Sequence, residues 1–220
     1  MKLDYKKLKA RHRELRDTLP ENVVLRVHRA LSWLKAADET DQLDAKFIFL
    51  WIAFNAVYAQ EIKAGGEFSE KGAFQDFLAR LIRIDDNDML YDIVWANFSG
   101  KIRLFIDNRY VSHQFWNFQN GCLSATEWKR RFDGSCRAAQ IALTSKDTAT
   151  FTGILFDRLY MLRNQLMHGG ATWESNVNRA QVQDGARILA DLVPAIIHLV
   201  LENPNEEWGA PCFPPVDRGE

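Results

Sequence analysis

Arg163, Asn164 and His168 lie within six residues of one another in the segment Leu162-Arg-Asn-Gln-Leu-Met-His-Gly-Gly170. An arginine is a permanent planar cation that can stabilise charge on a phosphorane. A histidine that titrates near neutrality can move a proton to or from a ribose oxygen. Together they match what RNA backbone cleavage requires of side chains. Asn164 and His168 are four apart and share a helix face. Arg163 lies about 100° further round the same helix. The glycine pair suits a helix end, which puts His168 in the last turn, where the negative end of the helix dipole favours an imidazolium. Spacing alone leaves a plainer reading open. Arg163 would then pair with a carboxylate such as Asp157 or Glu174, and His168 would cap carbonyls of its own helix.

Other chemistries have no sequence support. The chain has no glycine-rich phosphate loop, no GxSxG elbow, no HExxH and no Glu-x-x-His of the di-iron bundles. His12, His28, His113, His168 and His198 share no metal-ligand spacing, so neither a metal nor a cofactor is expected. Cys122, Cys136 and Cys212 form no CxxC pair and read as free thiols of a reducing cytoplasm. No run reaches the roughly 20 apolar residues of a spanning helix, and the charged first residues carry no secretory h-region. A soluble cytoplasmic protein without a membrane partner is the expectation.

A formal charge of −1 excludes a globally basic nucleic-acid binder, so any phosphate contact must be local. Residues 2–17 carry seven Lys and Arg side chains. Lys6, Lys7 and Arg11 there are the best candidates for phosphate contact, with a merely solvated face as the even alternative. Asn55, among Trp51, Phe54 and Tyr58, must find a partner if buried. It would serve a helix–helix bond or orient the motif. Thr172 and Trp173 follow the motif and are candidates for a cleft rim. Tyr110, Phe115, Trp116 and Phe118 could stack bases, although core packing is the stronger reading.

The elements that must position these residues are helices. Six prolines stand in the 220 residues, and none falls between Glu21 and Val193. At average usage of about 5% that span would hold roughly eight. A β-rich fold would also need many more tight turns than the sparse glycines supply. The apolar periodicity predicts a basic helix over 2–17, a helix from Pro20 to about 37, and a central helix over 41–62 stopped by Gly65-Gly66. One or two helices follow over 68–96, broken near Asp85–Asp88. Residues 98–120 fit no single element. Capping patterns at Ser124-Ala-Thr-Glu127 and Asn178-Arg-Ala-Gln181 open helices to about 144 and 202. Between them a helix spans 147–168. Pro194 is expected to kink the last helix or mark its restart. The organisation is one all-α domain over 1–205, its first 18 residues the basic helix, with a loose, irregular tail over 206–220.

Arg163-Asn164-x-x-x-His168, late in an all-α chain, resembles the RNxxxH motif of the HEPN superfamily (higher eukaryotes and prokaryotes nucleotide-binding). Phe49-Leu-Trp-Ile-Ala-Phe-Asn-Ala-Val-Tyr58 resembles the early helix of the Apea-like HEPN group. His168-Gly-Gly-Ala-Thr-Trp173 and Val177-Asn178-Arg179 resemble that group's stretch after the motif. The resemblance brackets residues of about 45 to 200. It implies a helical bundle that forms a homodimer, with two RNxxxH segments meeting in one cleft, and a metal-independent endoribonuclease activity on RNA. Arg163 and His168 would be the catalytic pair and Asn164 the polar residue beside them. It also implies a toxin or phage-defence setting with a possible antitoxin or defence-system partner. Gly170 stands where toxin members paired with a nucleotidyltransferase often carry tyrosine. Other members of the superfamily are non-catalytic binding or assembly domains. Geometry supports the dimer as well: five residues separate Arg163 from His168, about 140° round a straight helix, so one helix does not aim both at one phosphate.

Overall fold

The structure, a computed structural model, describes residues 3–59, 70–211 and 213. Among these residues the protein is all-α. The helices are α1 (Tyr5–Leu15), α2 (Glu21–Glu39), α3 (Leu43–Tyr58), α4 (Glu70–Arg83), α5 (Met89–Asn97), α6 (Arg103–Ile106), α7 (His113–Gln119), α8 (Ala125–Thr144), α9 (Thr148–Met167) and α10 (Arg179–Glu202). A π-helical turn over Phe98–Ile102 and a 3₁₀ turn over Arg109–Val111 flank α6. The expected stop at Gly65-Gly66 lies outside the described residues.

The centre of the bundle is α3, which buries Phe47, Leu50, Trp51, Ala53, Phe54, Val57 and Tyr58 on more than one face. Such a helix, apolar round much of its circumference, is stable only when other helices cover it. α2 and α10 pack along it. α9 closes the remaining side and runs antiparallel to it: Trp51 meets Tyr160 at 6.1 Å, and Phe54 meets Phe156 at 4.9 Å between ring centroids. Gly185 of α10 permits this three-way contact. A Cβ there would stand 2.9 Å from Leu162 Cδ2 and 3.0 Å from the Phe47 ring, too close for either to stay in place.

The break at Asp85–Asp88 has a specific cause. The buried Asp85 carboxylate accepts hydrogen bonds from the backbone N–H groups of Met89 (2.9 Å) and Leu90 (2.7 Å), which have no partner inside the new helix. Ser124 caps α8 as its pattern predicts, accepting from the Glu127 N–H at 3.2 Å. The second capping pattern opens its helix at the expected place but not by the expected bond. Asn178 precedes α10, but its side chain makes no cap bond, and its amide atoms are buried without partners. Nor does α10 restart at Pro194. It runs unbroken through that buried proline, losing only the bond the missing N–H would have made to Ala190.

The segment after α10 is irregular, as expected, but residues 206–211 are not loose. Trp208 is 1% exposed, and its indole N–H donates to the Asn203 carbonyl at 2.9 Å. Arg26, equally buried, gathers five carbonyls. Nη1 donates to Val57 and Ala59 at the end of α3, and Nη2 to Trp208, Gly209 and Ala210 of the tail. This one guanidinium caps α3 and fastens the C-terminal segment to it.

Candidate active site

α9 is bounded at both ends by its own sequence. Asp147 accepts from the Thr150 N–H at 3.0 Å, and this bond holds its carboxyl below the usual range. At the other end Gly170 N–H donates to Gln165 O at 2.7 Å and Gly169 N–H to Leu166 O at 3.4 Å. This pair of bonds is the Schellman arrangement. Both glycines favour it: Gly169 has φ +69°, and a Cβ on Gly170 would lie a tight 3.1 Å from the Gln165 carbonyl oxygen. The helix therefore ends at His168, the C-cap residue, and His168 is exposed.

Arg163 and Asn164 are half-buried one turn earlier. Nη1 of Arg163 donates to Oδ1 of Asn164 at 2.9 Å, and its guanidinium carbon lies 5.9 Å from the Tyr160 ring centroid. Arg163 Nε is buried without a partner. Among the described residues Arg163 forms no ion pair, so the pairing with Asp157 or Glu174 that spacing left open is not the arrangement found. Asp157 lies instead 3.8 Å from Arg158.

Beside the motif is a depression of about 450 Å³, with Asp44, Ile48, Phe49, Met167, Thr172 and Trp173 among its lining residues. Trp173 is 62% exposed and stands at its rim. Beneath it the buried Asp44 carboxylate takes Arg179 Nη2 at 2.7 Å, tying the start of α3 to the start of α10 next to the end of α9. Sequence reasoning missed Asp44. Nothing in the spacing 44–179 signals an ion pair, although Arg179 belongs to a stretch already singled out.

The other candidate residues lie elsewhere. Asn55 is on α3, next to Phe54 and so at the level of Phe156, seven residues and about 10 Å of helical rise from Arg163. Its Oδ1 is buried without a partner, and it forms no hydrogen bond with the motif. Lys6, Lys7 and Arg11 sit on α1, which docks at the far end of α10. Arg11 is held there by Glu202 at 2.7 and 2.9 Å, about 35 Å of helical rise from Arg179. Lys7 is 3.8 Å from Asp4. The basic helix and the motif thus occupy opposite ends of the bundle.

The aromatic cluster packs around the buried Phe115, while Tyr110 stays 43% exposed. Phe115 meets Tyr110, Trp116 and Trp128 edge-on at 5.3–5.4 Å, joining α7 to α8. Lys129 and Arg131 form i,i+4 pairs with Asp133 and Glu127 on the surface. Cys122 and Cys136 are free, and burial pushes the Cys136 thiol up. Among the described residues no group of three or more His, Cys, Asp or Glu is placed to hold a metal ion, and no helix is long and apolar enough to cross a membrane. Comparisons with protein-family models, with curated proteins and with solved structures gave no match, so the reading of this site rests on its own residues.

Proposed function

We propose that the protein is a metal-independent endoribonuclease of HEPN type, working as a homodimer in the cytoplasm, with a toxin or phage-defence role and an antitoxin or defence-system protein as its possible partner. The observation that carries this reading is the state of Arg163. It is a half-buried arginine without a carboxylate, tethered to Asn164, one turn before a histidine that the glycine turn leaves exposed. A structural arginine in this setting would be expected to have its donors taken by a carboxylate or, as in Arg26, by backbone carbonyls.

In the proposed reaction a ribose 2′-hydroxyl attacks the adjacent phosphorus. One His168 accepts the hydroxyl proton, the P–O5′ bond breaks, and a protonated His168 gives a proton to the departing 5′-oxygen. The products are a 2′,3′-cyclic phosphate and a 5′-hydroxyl. Arg163 stabilises the charge that builds on the non-bridging oxygens, and Asn164 orients Arg163. The two copies of His168 in a dimer supply the base and the acid. RNA cleavage that persists in EDTA, and that Arg163→Ala and His168→Ala each abolish with the fold intact, is the expected result. Cleavage by both variants at the wild-type rate would refute it.

A second reading is a structural dimerisation domain. The large apolar side chains exposed around the motif favour it: Met167 at 52%, Trp173 at 62% and Val177 at 91%. On that reading Arg163→Ala and His168→Ala weaken the dimer, and the wild type neither binds nor cuts RNA.

A further inference from the structure

The depression beside the motif is lined by a charged group with one oxygen unsatisfied. Asp44 is 4% exposed and lines the depression. Its Oδ2 takes Arg179 Nη2 at 2.7 Å, while its Oδ1 is buried without a hydrogen-bond partner. A charged oxygen away from water is the costliest acceptor to leave bare, so a donor brought to it is strongly favoured. Arg179 already balances the charge of the carboxylate, so the donor that fits is a neutral N–H and not a second cation.

The rest of the depression suits a flat ring. Its volume of about 450 Å³ falls in the range of small-molecule sites. Ile48 and Phe49 supply apolar wall, and Trp173 supplies an indole at the rim. Trp173 and Met167 are both more than half exposed, so these side chains can turn at little cost to admit a ring to the covered oxygen. Leu166 and Met167 line the depression three and four residues after Arg163, on the same helix face and about 5 Å of helical rise away. A nucleotide whose base lies in the depression therefore has its phosphate within reach of Arg163.

We propose that the depression is the base-recognition subsite of the ribonuclease: it stacks one nucleobase on Trp173 and selects a base with an exocyclic amino group, whose N–H donates to Asp44 Oδ1. The inference rests on the endoribonuclease reading for its ligand, RNA, and adds to it the residue that chooses the base. Cytosine and uracil isolate the requirement. Cytosine offers its N4 amino group, the donor that a carboxylate reads. Uracil carries an acceptor, O4, in that place, and its one N–H is recessed between two carbonyls that a carboxylate repels.

Binding is measured without turnover, on 2′-O-methyl hexamers of cytidine and of uridine, which have no free 2′-hydroxyl to attack. By calorimetry the full chain should bind the cytidine hexamer about tenfold more tightly than the uridine hexamer. Asp44→Asn gives the sharper test. Arg179 only donates, so the amide oxygen must face it and the NH2 group takes the place of Oδ1. The variant should keep its fold by circular dichroism and bind the uridine hexamer the more tightly. Trp173→Ala, at an exposed position, should weaken both hexamers alike, by about tenfold. If Asp44→Asn does not fold, the wild-type preference and Trp173→Ala decide the matter. Equal binding of the two hexamers by the wild type, binding of neither, an unchanged preference in folded Asp44→Asn, or unchanged binding in Trp173→Ala would each overturn the proposal. Cleavage is followed separately on unmodified RNA of mixed sequence. A cytidine preference in binding with no cleavage would refute the ribonuclease reading and leave the base site standing, whereas cleavage with equal hexamer binding would refute the base site alone.

Discussion

Nη1 of Arg163 is bound to Oδ1 of the residue beside it, Asn164, at 2.9 Å. Asn164 shares a helix face with His168, and Arg163 by itself does not. In the proposed mechanism this amide is the group that orients the arginine. Asn164→Ala should lower kcat by about tenfold or more, the usual loss when an orienting hydrogen bond of 1–2 kcal/mol is removed, with helix content and Tm unchanged. Steady-state kinetics and circular dichroism check this together. A rate within about twofold of wild type would mean that Arg163 needs no tether.

Gly185 is expected to couple stability to the site. Its missing Cβ leaves room for Leu162, which directly precedes Arg163, and for Phe47 of α3. Gly185→Ala forces one of these packed side chains aside and should destabilise by about 1–3 kcal/mol despite the better helix propensity of alanine. Urea denaturation reads the loss. A variant more stable than wild type would show that α10 and α9 have slack at this level.

Arg26 makes a larger prediction. Replacing it with leucine leaves the carbonyls of Val57, Ala59, Trp208, Gly209 and Ala210 without this donor. The expected cost is about 3 kcal/mol or more, with Trp208 becoming exposed. Tryptophan emission should shift to the red, and limited proteolysis should release the C-terminal segment first. An unchanged emission maximum and proteolytic pattern would mean the tail is held by Trp208 packing alone.

The pH dependence of stability should carry a mark of His12. Burial, followed by the nearby Lys9 charge, drives its imidazole toward the neutral form. The unfolded chain takes up this proton near pH 6.5, and the native chain takes it up only at lower pH. Stability is therefore fully present above about pH 6.5 and drains away as pH falls through and below that value. The urea midpoint should drop between pH 7.5 and pH 5 in the wild type and drop less in His12→Leu. Equal drops would assign the loss to other groups.

Features carried by local periodicity or a local stop could be read in the sequence. The apolar run Phe47–Tyr58 announces a central helix because no single-faced helix needs so many apolar positions. Gly169-Gly170 announces the end of α9 because the left-handed backbone of Gly169 favours glycine, and the placement of His168 follows. Ser124 could be read for the same reason. The segment 98–120 could not, since short π, α, 3₁₀ and α pieces follow one another with no period lasting two turns. Asn178 misleads because a capping residue type does not ensure that its side chain turns toward the helix. Arg26 and Asp44 gave no signal either. Their partners lie between 31 and 184 residues away in one case and 135 in the other, and pairing over such distances belongs to the tertiary structure. The separation of the basic helix from the motif is likewise set by where α1 docks on α10, which local sequence does not encode.

The central claim is that Arg163 and His168 direct the attack of a 2′-hydroxyl on its own phosphate. It is tested most directly by product analysis with EDTA present, on an RNA oligonucleotide cut at a mapped position and on the same oligonucleotide with a single 2′-deoxy nucleotide 5′ to that cut. The account predicts a 2′,3′-cyclic phosphate and a 5′-hydroxyl from the RNA, no cut at the deoxy position, and no products from His168→Ala. A 3′-hydroxyl with a 5′-phosphate, cleavage of the deoxy substrate at the same rate, or wild-type cleavage by His168→Ala would contradict it.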